Sequence, residues 1–320
     1  ARSSAASDVY KRQLHWREAG LPQTFTILDA EDQQRVIKRV IRGLDLDDTQ
    51  WVPREMQWYI NARKDEGLRP AHIDPGRDEQ KQTLVRIYSA YEAACERAGL
   101  VDFAELLLRA HELWLQNDDL LRHYQERFCH LLIDEFQDTN TIQYAWLRVL
   151  AGKTGYPFAV GDDDQSIYAW RGARIENIQR YPKDFPGCRV VRLEQNYRST
   201  STILDAANAL ISNNTARMGK ELWTEGPDGD PIRIYSAYNE RDEANFVVGK
   251  IRSLTESGNA RSDVAILYRS NAQSRVFEEA LLNENMPYRV YGGLRFFERA
   301  EIKDALAYLR LVTNRNDDTS

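Results

Sequence analysis

The sequence predicts an α/β protein with a parallel sheet, preceded along the chain by a mainly helical region. From residue 128 onward, short apolar segments of strand length alternate with segments of helical periodicity, which is the pattern of βαβ units with parallel strands. Between Leu28 and Trp114 the apolar residues instead recur at helical spacing. A chain of 320 residues is long for one hydrophobic core, so we expect two domains.

Composition limits the classes of protein that this chain could represent. With 42% hydrophobic and 29% charged residues, it has the composition of a globular protein, without a run of membrane-spanning length or a secretory signal. A net charge of −6 argues against coating duplex DNA by charge alone. Single-strand binding stays open, because base stacking supplies much of its energy. Cys95, Cys129 and Cys188 lack metal-ligand spacing, which predicts core thiols in a reducing cytoplasm and no structural metal.

The helical region should contain several capped helices. Asp29 and Asp102 each stand just before a run of helical periodicity, so we expect both to be N-caps. Between them, Trp58, Lys64 and Arg69 mix aromatic and basic side chains that could contact nucleic acid. A helical subdomain that packs its aromatic side chains inward is the favoured interpretation of this stretch.

The later part of the chain should form strands and helices in alternation. We expect one helix to join the first two strands and a turn at 226–231 to separate two blocks. The expected strands are 128–133, 158–160, 190–193, 232–235, 264–268 and 288–291, and the expected helices are 142–150, 242–254, 274–282 and 301–312.

A polar cluster follows each of the first three predicted strands. Asp134 and Glu135 end the first strand, and the other clusters are 161–166 and 194–199. Because ligands of parallel sheets bind at the carboxyl ends of the strands, the three clusters should share one edge. One carboxylate could hold hydrated Mg²⁺ while the other orients a water for attack on a phosphate. The alternative is a solvated acidic turn.

The second cluster continues into a loop that carries two aromatic rings. Gln165 stands where it could sense both a nucleotide phosphate and the neighbouring loop. Tyr168, Trp170 and Arg171 supply flat rings and a guanidinium group suited to stacking on unpaired bases. The alternative for Trp170 is a core position between domains.

The third cluster offers a cation and a further ring. Arg198 could reach a γ-phosphate and stabilise developing charge, and Tyr197 could stack on an adenine. The alternative for Arg198 is a structural ion pair with Asp134 or Glu135. Gly-Lys-Thr at 152–154 is rejected as a phosphate-binding loop, because the preceding glycine is missing and a helix, not a strand, is expected before it.

Three long motifs resemble those of the UvrD/PcrA/Rep-type superfamily-one DNA helicases, in the order found in that family. They are DEFQDTN at 134–140, VGDDDQSIYAWRGA at 160–173 and LEQNYRST at 193–200. Supporting stretches are VDFAELLLRAHELWL from Val101, LYRSNAQSR from Leu267 and YGGLRFFERAEIKDALAYLRL from Tyr291. The resemblance covers everything after about Leu14.

This resemblance implies RecA-like parallel sheets of the P-loop NTPase type and ATP-driven 3′-to-5′ translocation on single-stranded DNA. It also implies work at single/double-strand junctions in DNA repair or replication, in the cytoplasm at the nucleoid, and it leaves other DNA-repair proteins open as partners. The implied cofactors are ATP and Mg²⁺. By the resemblance, Asp134 and Glu135 would bind Mg²⁺, and Glu135 would also activate the attacking water. Gln165 would couple the nucleotide to DNA, Tyr197 would stack on the adenine, and Arg198 would contact the γ-phosphate. The residues implied to contact DNA are Tyr168, Trp170 and Arg171.

The resemblance also gives expected domain boundaries. Residues 1–13 should be a non-native or disordered lead-in. Residues 14–200 should belong to the ATP-binding domain, with a helical insertion at 14–99 and a RecA-like core at 100–200. Residues 201–320 should be the start of a second RecA-like domain. The family's phosphate-binding loop would lie before residue 1, so we expect an incomplete chain that is inactive alone. The alternatives are a non-catalytic single-stranded-DNA-binding or regulatory protein and a helicase–nuclease subunit.

Overall fold

The computed structural model describes residues 15–215, 217–291 and 300–313. The expected lead-in at 1–13 and the glycine pair at 292–293 lie outside the described residues. The chain divides into two compact units. One contains the described residues up to Ser199 together with Leu204–Gly226, and the other contains Thr200–Ile203 and the described residues from Pro227 onward.

The first unit begins with a helical region that confirms both predicted caps. The Asp29 carboxylate accepts hydrogen bonds from the backbone amides of Glu31 and Asp32 at 2.9 and 2.8 Å. The Asp102 carboxylate accepts one from the Glu105 amide at 2.8 Å. The elements are β1 (Thr26–Ile27), α1 (Ala30–Gly43), α2 (Pro53–Asp65), α3 (Glu79–Ala98), β2 (Leu100–Val101), α4 (Phe103–Gln116) and α5 (Asp118–Arg127), with β1 and β2 paired in parallel.

The core of this region contains apolar side chains together with a buried ionic cluster. Ile37, Ile60 and Tyr88 are among the apolar core residues. Lys64 is only 2% exposed, and its Nζ lies 2.7 Å from Asp102 Oδ2. Lys64 is therefore an interior side chain, which agrees with the favoured interpretation of this region as a helical subdomain.

Arg69 belongs to the same cluster, which we call the buried ionic cluster: Lys64, Arg69, Glu92, Asp102, Glu105 and Glu112. Its guanidinium group contacts Glu92, Glu105 and Glu112 at 2.6–2.8 Å. Both basic side chains that sequence reasoning had also considered for nucleic-acid contact are thus engaged by carboxylates. Trp58, by contrast, is exposed rather than packed inward.

A parallel two-stranded sheet follows the helical region. Strands β3 (His130–Ile133) and β4 (Tyr156–Ala159) pair in register from His130↔Tyr156 to Ile133↔Ala159. Helix α6 (Thr141–Ala151) joins them, as the predicted βαβ unit requires, and α7 (Glu176–Asp184) comes after β4. Leu131 packs with Leu150 and Ala151 of α6, whereas the side chains of Leu132, Tyr156 and Phe158 are exposed.

The second unit contains a helical pair with its own core. Helices α9 (Glu240–Glu256) and α10 (Ser274–Asn283) pack through Val248, Ile251, Phe277 and other apolar side chains. Helix α8 (Ser201–Ile211) precedes them along the chain and lies mostly in the first unit, and α11 (Ala300–Thr313) is the last helix described. The helices expected at 242–254, 274–282 and 301–312 are therefore present.

Four expected strands are wrong within the described residues. The segments 190–193, 232–235, 264–268 and 288–291 form no β-ladder there. Apolar, β-prone composition favours an extended chain, but a strand also needs a neighbour that takes its backbone hydrogen bonds. Ile266 packs against the core of the second unit while Leu267 is 93% exposed, so 264–268 keeps a strand-like alternation without a ladder.

The cysteines also correct an expectation. Cys95 is buried, and burial raises the pKa of its thiol to about 11. Cys129 and Cys188 are exposed, so they are not core thiols. The spacing of the cysteines in the sequence argued against a metal site, but it carried no information about which thiols are buried. Within the described ranges, no helix is both long and apolar enough to cross a bilayer.

Candidate active site

The carboxyl ends of β3 and β4 bring the first two polar clusters together, as predicted. The Val160 amide donates to the Ile133 carbonyl at 2.8 Å, and the Phe136 amide donates to the Val160 carbonyl at 3.0 Å. These bonds extend the parallel pairing past the strands and hold the Asp134–Glu135 turn beside the chain that follows β4. The edge at which parallel sheets bind their ligands is therefore lined by carboxylates.

Glu135 has an unusual backbone conformation at this edge. Its φ is 50°, in the left-handed region, and it begins the 3₁₀ turn Phe136–Asp138. A residue other than glycine in this region costs about 1 kcal/mol or more, and such residues concentrate at functional sites. The side chains of Asp134 and Glu135 are both exposed, so the turn presents two carboxylates to solvent.

Gln137 joins the two clusters directly, and sequence reasoning missed it. Its side chain is 1% exposed. Its Nε2 donates to Glu135 Oε2 at 2.7 Å, and its Oε1 accepts from the Asp162 amide at 2.9 Å. Gln165 then donates through Nε2 to Asp162 Oδ2 at 2.8 Å. A continuous chain of hydrogen bonds therefore connects Glu135 to Gln165.

Two of the three aspartates after β4, Asp162 and Asp164, pair with a basic segment that sequence reasoning also missed. Their carboxylate oxygens lie within 4.8 Å of one another. Lys220 Nζ contacts the Asp162 carboxylate, and Arg217 forms two hydrogen bonds to Asp164 at 2.9 and 2.6 Å. Burial opposes ionisation of Asp162, but the Lys220 contact holds the pKa of this carboxyl below its ordinary value. Protein cations therefore pair with two of the three carboxylates, and the third, Asp163, accepts a hydrogen bond from the Met218 amide.

The exposed pair Asp134 and Glu135 is the better fit to a hydrated Mg²⁺. Oxygen ligands from one or two carboxylates, with several waters retained, are what this ion prefers. Within the described residues, neither side chain forms an ion pair with Lys, Arg or His. The donor chemistry of Asp134 and Glu135 therefore fits a hydrated Mg²⁺, and their role as metal ligands stays a prediction.

The loop after Gln165 presents the predicted aromatic and cationic side chains. The Arg171 guanidinium lies 4.5 Å from the ring centroid of Trp170 and 5.0 Å from that of Tyr168. Gly172, with φ of 86°, ends the 3₁₀ turn that carries Trp170 and Arg171. Trp170 is 67% exposed, and both interpretations of it, base stacking and a position between domains, stay predictions.

The third cluster is held by its own asparagine. Asn196 Oδ1 accepts from the amides of Arg198 and Ser199, both at 2.8 Å, and the Asn196 amide donates to the Trp223 carbonyl at 2.7 Å. Tyr197 is 85% exposed, and the Arg198 side chain is also exposed. Across the described part of the chain, no ion pair joins Arg198 to Asp134 or Glu135, so the structural pair is not formed.

Lys153 lies at the opposite end of the strands from these clusters. Gly152 ends α6, and β4 begins at Tyr156, so the chain runs from helix to strand at this point. A phosphate-binding loop runs from strand to helix and uses the helix amides. The structure therefore agrees with excluding the Gly-Lys-Thr triplet.

A half-buried carboxyl close to the aromatic loop should make stability depend on pH. Burial raises the pKa of Asp65 from its ordinary value of 3.8 to about 6, although a hydrogen bond with Asn140 opposes this. Between these pH values the folded chain binds a proton that the unfolded chain releases, so this group lowers the free energy of unfolding as pH rises. We expect Asp65→Asn to have a higher free energy of unfolding than the wild type, with a larger difference at pH 7 than at pH 4.5. Urea denaturation at the two pH values measures this difference. Asp119→Asn, at an exposed side chain, is the control and should leave the wild-type pH dependence unchanged.

Carboxylate and amide side chains lie at the carboxyl ends of the parallel strands β3 and β4. This arrangement is typical of α/β proteins that bind their ligands at the carboxyl edge of the sheet. Residues 4–186 match the UvrD/REP helicase N-terminal domain, and residues 191–320 match the UvrD-like helicase C-terminal domain. The chain belongs to the UvrD/REP helicase family. The resemblance inferred from the three motifs is confirmed, and the family implies a RecA-like α/β fold.

Several curated proteins are similar to most of this chain. It is 64% identical to DNA helicase II of Escherichia coli and 58% identical to DNA helicase II of Haemophilus influenzae, in each case over 96% of the chain. It is 45% identical to the ATP-dependent DNA helicase PcrA of Leuconostoc citreum over 94% of the chain. These alignments cover 43%, 42% and 40% of the relatives, so the chain spans less than half of their length.

Proposed function

We propose that the protein containing this chain is an ATP-dependent DNA helicase that moves 3′ to 5′ along single-stranded DNA. The observation that carries the proposal is the continuous path of hydrogen bonds from Glu135 through Gln137 and Asp162 to Gln165. Gln165 directly precedes the loop that bears Trp170. Carboxylates suited to phosphate chemistry and rings suited to base stacking thus lie on one connected set of loops. The relatives' names, DNA helicase II and ATP-dependent DNA helicase PcrA, agree with this function.

The carboxylate pair would divide two tasks. Asp134 would hold Mg²⁺, with Glu135 nearby in the same site, and the ion would supply charge neutralisation on the phosphates. Glu135 would orient the attacking water and accept its proton. Gln165 would respond to the nucleotide and pass its state to the aromatic loop, because it contacts Asp162 and directly precedes that loop.

The third cluster would complete the nucleotide site. Tyr197 presents an exposed ring that would stack on the adenine, and the exposed Arg198 guanidinium would contact the γ-phosphate. The expected boundaries at 14–99, 100–200 and 201–320 remain part of this proposal. Single/double-strand junctions are the proposed substrate, and other DNA-repair proteins at the nucleoid are the proposed partners.

The central experiment tests hydrolysis and unwinding together. The longest open reading frame that contains this chain, called here the full-length protein, is expressed and assayed for ATP hydrolysis with and without single-stranded DNA. We expect DNA to stimulate hydrolysis and a duplex with a 3′ single-stranded tail to be unwound. DNA binding without hydrolysis would instead support the non-catalytic alternative.

Removing the exposed Trp170 ring should weaken single-strand binding. We expect Trp170→Ala in the full-length protein to cost about 1–3 kcal/mol of binding free energy, the value of one base–aromatic stack. The measurement is fluorescence anisotropy with a labelled oligothymidylate. Trp58→Ala is the matched control, because Trp58 is also exposed and also lies beside an arginine, Arg54, 4.8 Å from its ring. Equal losses in the two variants, or none in Trp170→Ala, would contradict the role of Trp170.

A further inference from the structure

We propose that Gln137 is a positioning residue that fixes the Glu135 carboxylate relative to the turn carrying Gln165. The proposal rests on the function proposed above and assigns a task to a side chain that would not itself touch the nucleotide. Gln137 is 1% exposed, so its amide faces protein on all sides. A buried amide with unmade hydrogen bonds is costly, and here both ends of the amide are bonded.

The orientation of the amide follows from its partners. A backbone N–H can only donate, so the Gln137 atom facing the Asp162 amide must be the oxygen, Oε1. The NH₂ group is therefore directed at Glu135, where it donates to Oε2 at 2.7 Å. Such a bond to a charged acceptor holds one oxygen of the Glu135 carboxylate in a fixed direction.

Among side chains of this length, only glutamine satisfies both contacts. Glutamate would keep an acceptor for the Asp162 amide but would place a second carboxylate against Glu135. Methionine has a similar length and neither a strong donor nor a strong acceptor. The space is also closely shared: a Cβ added to Gly161 would lie 2.8 Å from Gln137 Oε1, closer than real Cβ contacts. The glycine therefore allows the amide to approach the backbone after β4.

Asp162 connects the turn that carries Glu135 to the turn that carries Gln165. Its amide is held by Gln137, and its carboxylate accepts from Gln165 Nε2 at 2.8 Å. A displacement of Gln165 is thus transmitted through Asp162 and Gln137 to Glu135. The exposed Glu135 carboxylate would lose its side-chain hydrogen bond from Gln137 without that amide, and its orientation would vary. Gln137 would then matter for the rate of the chemical step more than for nucleotide affinity.

The test compares Gln137→Glu and Gln137→Met in the full-length protein. We expect kcat for DNA-stimulated ATP hydrolysis to fall about tenfold or more in both, the scale of a hydrogen bond to a charged group, with KM for ATP within about twofold of wild type. Gln143→Met is the matched control. Gln143 caps α6 through Asn140 rather than contacting Glu135, so its replacement should leave kcat unchanged.

Two further readouts separate positioning from a general structural defect. In a Glu135→Gln background, Gln137→Met should cause no additional loss of kcat, because the group it positions is gone. Hydrogen exchange at the Asp162 amide should accelerate in Gln137→Met and stay slow in Gln137→Glu, which keeps the acceptor. The exchange measurement can be made on the chain itself and also shows whether each variant is folded.

The outcomes are distinct. If Glu135→Gln is inactive while both Gln137 variants keep wild-type kcat, the positioning role is overturned and the proposed function stands. Additive losses in the double variant would also overturn it, because they would indicate a structural effect. If the wild-type full-length protein hydrolyses no ATP, the proposed function fails and the role of Gln137 fails with it. If Glu135→Gln is fully active, another group activates the water, so the role of Gln137 is overturned while ATP-driven function stands.

Discussion

Glu135→Gln in the full-length protein is expected to reduce DNA-stimulated ATP hydrolysis by about 100-fold or more. A positioned general base contributes a factor of roughly 10²–10⁴, and glutamine cannot accept the proton of the attacking water. The substitution keeps the length of the side chain and its position after β3. The measurement is the steady-state rate of phosphate release at saturating single-stranded DNA.

Binding measurements show whether the loss belongs to chemistry. ATP and single-stranded DNA should bind the Glu135→Gln variant about as well as wild type, because the residue acts in the chemical step. Glu176→Gln serves as the control, since Glu176 is an exposed acid at the start of α7. A Glu135→Gln protein that still hydrolyses ATP in response to DNA would show that another group activates the water.

Lys64→Met should have the largest effect on folding. The lysine is 2% exposed and contacts Asp102 and Glu105 at 2.7 and 3.0 Å. Burial alone would lower the pKa of Lys64, but these two carboxylates raise it, so the charged form is held. Removing one partner of a buried ion pair leaves the other charge uncompensated, which costs about 3–5 kcal/mol. Urea denaturation of the chain, followed by circular dichroism, gives the free energy of unfolding.

Lys81→Met is the matched control for this substitution. Its ammonium group is 3.9 Å from Asp78 at the surface, and its side chain is largely exposed. Surface ion pairs contribute about 0–1 kcal/mol, so the control should unfold close to wild type. A Lys64→Met chain as stable as Lys81→Met would show that the carboxylates of the buried ionic cluster tolerate the loss by protonation or rearrangement.

Local signals in the sequence were reliable where the chemistry itself is local. Asp29 and Asp102 were predicted as caps because a cap bonds to amides two or three residues away. The convergence of the first two polar clusters was also predicted, because parallel strands place their carboxyl ends at one edge. The third cluster shows the limit: the predicted strand at 190–193 forms no ladder in the described residues.

Contacts between distant residues lay beyond the reach of sequence patterns. Arg217 and Lys220 neutralise aspartates more than 50 residues earlier in the chain, and Trp223 bonds to the third cluster through its backbone. Their own neighbourhoods show no periodicity or motif that would indicate those partners. Gln137 differs, because it lies within the acidic motif itself. The glutamine two residues after the glutamate was a signal in the sequence that could have been used.

The bare face of the β3–β4 sheet has a practical consequence. Leu132, Tyr156 and Phe158 lie on that face with their side chains in water, whereas parallel sheets normally have both faces covered. Contiguous apolar surface of this kind promotes self-association. The colloidal behaviour of the isolated chain in concentrated solution should therefore be governed by this surface more than by its net charge of −6.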